Sequence, residues 1–88
     1  MPTLLRARVR TPDGGAVVDA RVYYVEAPVE MPEIAALTDE DGEVRLEAPE
    51  AGAYRLGFSV DGYRNQTVEV VVHEEDEIDI DVTVEPED

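Results

Sequence analysis

Residues 38–63, TDEDGEVRLEAPEAGAYRLGFSVDGY, alternate apolar and polar side chains and interrupt that alternation only at Gly- and Pro-bearing turns. A side-chain period of two belongs to a strand with one buried face. Asp-Gly, Pro and Gly supply the backbone geometries that reverse such strands. The stretch therefore reads as turn, strand, turn, strand, turn, and it predicts antiparallel sheet.

The same rhythm extends along the chain. Thr3 to Arg10 places Leu5, Ala7 and Val9 on one side and Arg6, Arg8 and Arg10 on the other. After the turn cluster Thr11 to Gly15, residues Ala16 to Glu26 read as a strand with Val18, Ala20, Val22 and Tyr24 facing the core. Pro28 and Pro32 make Glu26 to Ala35 an extended loop. A short strand is expected within Ile34 to Thr38. Val44 and Leu46, then Tyr54, Leu56, Phe58 and Val60, point inward on the next two strands. Val68, Val70 and Val72 line a further strand, where Val71 signals a bulge or a covered outer face. Ile78, Ile80, Val82 and Val84 close the series, and Glu85 to Asp88 read as a frayed tail. About seven strands at turn intervals of roughly 8–12 residues predict an all-β sandwich.

The 88 residues are expected to form one domain, spanning 1–88. With no cysteine, thiolate metal sites, disulfides and cysteine nucleophiles are excluded. No apolar run approaches the roughly 20 residues of a transmembrane helix, so no membrane insertion is expected. MPTLLRARVR lacks a signal-peptide core. Twenty-two acidic residues against seven basic ones, all Arg, give a formal net charge of −15. Such a surface repels phosphate backbones, which argues against nucleic-acid binding, and favours a monomer or weak oligomer. Acidity of this kind serves solubility, but the absence of lysine beside so many carboxylates favours a halophilic origin, with a GC-rich genome as the other source of an arginine bias. At molar salt the Debye length shrinks to about 3 Å, which largely removes repulsion within the surface. The melting temperature is therefore expected to rise steeply between low and molar NaCl; a flat response contradicts this reading.

Four stretches, in order, carry a family resemblance. Thr11-Pro12-Asp13-Gly14-Gly15-Ala16-Val17-Val18-Asp19-Ala20-Arg21-Val22 resembles the opening "DG-x-PV-x-GA-x-V" of carboxypeptidase regulatory-like domains. Thr38-Asp39-Glu40-Asp41-Gly42-Glu43-Val44-Arg45-Leu46 is similar to their "TD-x-DG-x-[FY]-x-L", Ala51 to Leu56 to their "PG-x-Y-x-L", and Asp61-Gly62-Tyr63 to their "GY". Val44 stands where an aromatic is usual, Asp19 where Gly is usual, and Glu50-Ala51 separate Pro49 from Gly52. The resemblance implies a seven-stranded antiparallel Greek-key sandwich, transthyretin- or prealbumin-like. It also implies a non-catalytic accessory module of a secreted or cell-surface protein.

Candidate chemistry is sparse. Hydrolases and iron dioxygenases on related folds need several histidines, and this chain has one, His73. Ser59 is its only serine. Asp39, Asp41 and Gly42 suggest a calcium loop, but Leu37 and Ala48 occupy the outer ligand positions. A turn closed by side-chain-to-backbone bonds is the simpler reading. Glu74 to Glu77 form a solvated acidic turn. No cofactor and no catalytic residue is therefore expected.

The candidate partner contacts are Arg6, Arg8 and Arg10, which suit a carboxylate-bearing protein or glycan, together with Val29, Met31 and Ile34 on the proline-stiffened loop. The structural reading of the arginines is a cross-strand charge ladder against Asp79 and Asp81, or Glu69. The loop residues could equally cover one end of the core. A second functional reading is a weak carbohydrate- or calcium-binding domain attached to an enzyme. A third is self-association through an unpaired edge strand, at the chain ends or the proline-broken segment.

Overall fold

A computed structural model describes residues 3–31, 35–73 and 77–87. Seven strands are present: β1 (Thr3–Arg10), β2 (Arg21–Glu26), β3 (Ala36–Leu37), β4 (Glu43–Ala48), β5 (Gly52–Ser59), β6 (Gln66–Val72) and β7 (Glu77–Thr83). They form a three-stranded sheet, β4-β1-β7, and a four-stranded sheet, β3-β2-β5-β6. The alternation explains the core between them. Leu5, Ala7 and Val9 from β1 meet Tyr54, Leu56 and Phe58 from β5, with Val22, Val72, Ile80 and Val82, and all of these are buried. Val71 sits on the outer face of an unbulged β5–β6 ladder opposite Ala53 and is exposed.

One pairing departs from the expected all-antiparallel arrangement. β1 and β7 run parallel, in register from Leu4 opposite Glu77 to Arg10 opposite Thr83. Period-two patterning reports which face of a strand is buried and carries no information about direction. Because five strands intervene between β1 and β7 rather than a hairpin, no tight turn forces them antiparallel.

A second correction concerns Ala16 to Ala20. The strand begins only at Arg21, and Val17 rather than Val18 points inward: Val17 is 7% exposed and Val18 is 52% exposed. The cause is Asp19, whose φ of 60° lies in the left-handed region. One residue in that region shifts the phase of the alternation, so Val17 lies inward before it while Ala20 and Val22 lie inward after it. Aspartate tolerates this conformation better than most residues, which accounts for its presence where the resembling family has glycine.

The segment is held by a compact set of bonds. The Val17 amide donates to the Val9 carbonyl at 3.1 Å, and the Val9 amide donates to the Gly42 carbonyl at 2.8 Å. The buried Thr38 hydroxyl donates to the Val17 carbonyl at 2.6 Å and accepts from the Ala20 amide at 2.9 Å. These bonds tie the β1–β2 connection to the turn before β4.

The tail is also more ordered than its composition suggests. The Val84 amide donates to Arg10 at 2.9 Å, the Arg64 amide donates to Glu85 at 2.8 Å, and the Glu87 amide donates to Gly62 at 3.0 Å. Residues 84–87 are thereby fixed to both β1 and the turn after β5.

Candidate functional site

The outer face of the β4-β1-β7 sheet gathers the charged candidates. β1 is the central strand, so Arg6 and Arg8 have neighbours on both sides. Arg6 lies opposite Arg45 on β4 and Asp79 on β7, and Arg8 opposite Glu43 and Asp81. Arg6 Nε donates to Asp79 Oδ1 at 2.9 Å, with Glu77 at 3.4 Å and Glu43 at 4.0 Å. Arg8 donates to Glu43 at 3.1 Å. The hydrogen bond that Arg6 donates to Asp79, followed by the charges of Asp79 and Glu77, raises the Arg6 guanidinium above its ordinary pKa. Solvent screening keeps each of these exposed pairs weak.

The charge-ladder reading therefore describes Arg6 through Asp79, while Arg8 pairs with Glu43 on β4 rather than with Asp81, its register neighbour on β7. Glu69 belongs elsewhere: it pairs with Arg55 at 2.8 Å on the other sheet. Arg10 and Arg45 are exposed and form no ion pair among the described residues. Arg6, Leu37, Asp39, Glu43, Val44 and Arg45 line a shallow depression of 330 Å³ where β3 and β4 approach each other. The sequence reading missed Arg45 as a neighbour of Arg6, because only the β1–β4 register brings them together.

The loop candidates occupy a different place. Val29 and Met31, both half-buried, line a depression of 170 Å³ with Tyr24, Val25, Glu26 and Ala27. It shares no residue with the arginine-lined depressions. Ile34 lies outside the described residues. At the same end, Tyr24 and Tyr54 pack with ring centroids 5.6 Å apart. The Tyr24 hydroxyl donates to the Glu47 carbonyl at 2.6 Å, linking the two sheets. The Tyr54 hydroxyl donates to the Glu50 carbonyl at 2.6 Å, pinning the β4–β5 turn as a tyrosine corner does.

Burial pushes the Tyr24 phenol up to about 12, with smaller contributions from Tyr54 and Glu47. The raised value means the fold favours the neutral ring. Its contribution is complete below pH 10 and is lost as pH rises through about 12. Tyr24→Phe is expected to cost about 1 kcal/mol at pH 8, through the lost hydrogen bond. It should also flatten the loss of stability between pH 10 and pH 12. Urea unfolding of both proteins across that range measures the difference.

The carboxylate that suggested calcium has a structural role. Asp39 Oδ1 accepts from the Asp41 amide at 2.9 Å and from the Glu43 amide at 3.0 Å. Among the described residues no group of three or more His, Asp or Glu side chains converges on a point. Glu74, Glu75 and Asp76 lie outside them. His73 is exposed directly after β6. Among the described residues no helix is long and apolar enough to cross a membrane.

The four sequence motifs now have a common structural meaning. Gly14, Gly42, Gly52 and Gly62, one in each motif, are the four glycines with positive φ among the described residues. The motifs are thus the turn requirements of one topology, and the family pattern of the carboxypeptidase regulatory-like domain matches residues 5–85. The chain belongs to that family. Among solved structures, a streptococcal ancillary pilin resembles this regulatory-like domain with a TM-score of 0.66 and 17% identity. The match covers 98% of this chain and 33% of the pilin chain, so the domain spans about a third of that protein. This likeness shows the β-sandwich fold. No curated protein matches the chain.

Proposed function

We propose that this carboxypeptidase regulatory-like domain is a non-catalytic spacer and presentation module of a secreted or cell-surface protein. The observation that carries the reading is the parallel β1–β7 pairing. The chain enters at the Leu4 end of β1 and leaves beyond the Thr83 end of β7, and these ends lie at opposite extremes of the paired strands. The eight residues of β1 extend about 26 Å at ~3.3 Å each. That exceeds the 20 and 18 Å widths of the molecule, so the strands follow its 38 Å axis. Segments attached to the two ends are therefore held apart by a rigid body rather than brought together.

The family membership supports an accessory role, and the polar bonds described above serve turns and sheet edges. A carboxylate-bearing protein or glycan partner would meet Arg10 and Arg45 on the arginine face, since Arg6 and Arg8 are already engaged. The loop residues Val29 and Met31 are the proposed second contact surface.

The test displays a reporter domain on a cell surface through this chain. It compares three spacers: this chain, an unrelated rigid sandwich of equal length, and a flexible Gly/Ser linker. The spacer reading predicts that the two rigid modules give equal reporter accessibility and the flexible linker gives less. If this chain alone captures a ligand that Arg45→Ala abolishes, the binding reading replaces it.

A further inference from the structure

A body with termini at opposite ends can be pulled along its axis, and the strand arrangement determines how it resists. Tension on the N-terminus draws β1 backward, and tension on the C-terminus draws β7 forward. β1 and β7 are parallel and registered over their length, from Leu4–Glu77 to Arg10–Thr83. Opposed pulling therefore slides one strand along the other. In that geometry the ladder bonds share the force and must fail together, whereas peeling breaks them one at a time.

Two further features act in the same direction. Arg6–Asp79 at 2.9 Å and Arg6–Glu77 at 3.4 Å link the two strands through side chains. Beyond β7, the tail is bonded to Arg10, Gly62 and Arg64, and the Gln66 side-chain amide donates to the Thr83 carbonyl at 2.8 Å. Force arriving from the C-terminus is thus passed to the second sheet as well as to β1. β1 itself is flanked by β4 on its other side, so it cannot leave by peeling from a free edge.

We infer that the β1–β7 pairing is a shear clamp, which suits the domain to transmit tension along its axis. The biological use of the clamp rests on the spacer reading, but the mechanical property does not. The two fail separately: loss of spacing in the display assay removes the spacer role, whereas the clamp is decided by force alone.

Single-molecule force spectroscopy on the whole chain provides that test, because forced unfolding is governed by the unfolding barrier along the pulled direction. The chain contains no cysteine, so Glu77→Cys creates a unique second handle at the start of β7, opposite Leu4. In this one variant, pulling between the two termini shears β1 against β7. Pulling between the N-terminus and residue 77 peels them from their common end. At equal loading rate the terminal geometry is expected to rupture at about twice the force of the peeling geometry or more. Equal forces, or a stronger peeling geometry, overturn the clamp.

Discussion

Gly42→Ala is expected to destabilise the domain by about 3 kcal/mol, whereas Gly14→Ala should cost about 1 kcal/mol. Both glycines have positive φ, 75° and 92°. The difference lies in what a methyl group would meet. At Gly14 no atom lies within 4 Å, so only the conformational cost of a left-handed alanine applies. At Gly42 the added carbon would stand 2.6 Å from the Val9 carbonyl oxygen and 3.1 Å from the Val17 amide. These are backbone atoms bonded to each other, and the Val9 amide also takes the Gly42 carbonyl as its acceptor. Relief requires moving the end of β1 away from the turn, which breaks bonds that order the β1–β2 connection. Urea unfolding of the two variants side by side isolates the contact from the shared backbone term. Equal losses would show that the turn does not press on β1.

Thr38→Val is expected to cost about 3 kcal/mol although it conserves shape. Thr38 is 2% exposed, and its hydroxyl satisfies both the Val17 carbonyl and the Ala20 amide. Valine leaves a buried acceptor and a buried donor unpaired, each worth about 1–3 kcal/mol, partly offset by burying a methyl group. For a domain of this size the loss corresponds to a fall in melting temperature of about 12 °C or more. Thr38→Ser keeps the hydroxyl and loses only a methyl, so it should cost about 1 kcal/mol. A serine variant as damaged as the valine variant would assign the site to packing rather than hydrogen bonding.

These two positions also show where the sequence was legible. Strand faces were readable because burial has a period of two, and turns were readable because four of them carry a glycine with positive φ. The core residues of β1 and β5 followed directly. Asp19 defeated the pattern locally, since one left-handed residue moves the inward position from Val18 to Val17. Thr38 gave no signal as a bonded anchor, because its partners are backbone atoms brought near only by the fold. Strand direction was equally invisible, and the parallel β1–β7 pair emerged only from the topology.

The candidate contacts divided in the same way. Arg6, Arg8 and Arg10 share a face, as alternation requires, but the β1 neighbours decide their state. Asp79 and Glu43 engage Arg6 and Arg8, while Arg10 lies beside Thr83. Of the chain ends proposed for self-association, β1 is central, whereas β7 is an edge strand; the other sheet edges are β4, β3 and β6.

The opposite placement of the two ends is the claim on which the spacer and the clamp both depend. Cysteines at Glu47 and Glu85 in this cysteine-free chain test it through spin-label distances. Glu47 lies opposite Leu4 at the N-terminal end, and Glu85 follows β7. With β1 and β7 parallel, about eight residues of strand separate the sites along the axis, and a narrow distribution near 26 Å is expected at ~3.3 Å per residue. An antiparallel β7 would return Glu85 to the Leu4 end, about 10 Å away across two strand spacings. A short distance of that kind would contradict the account.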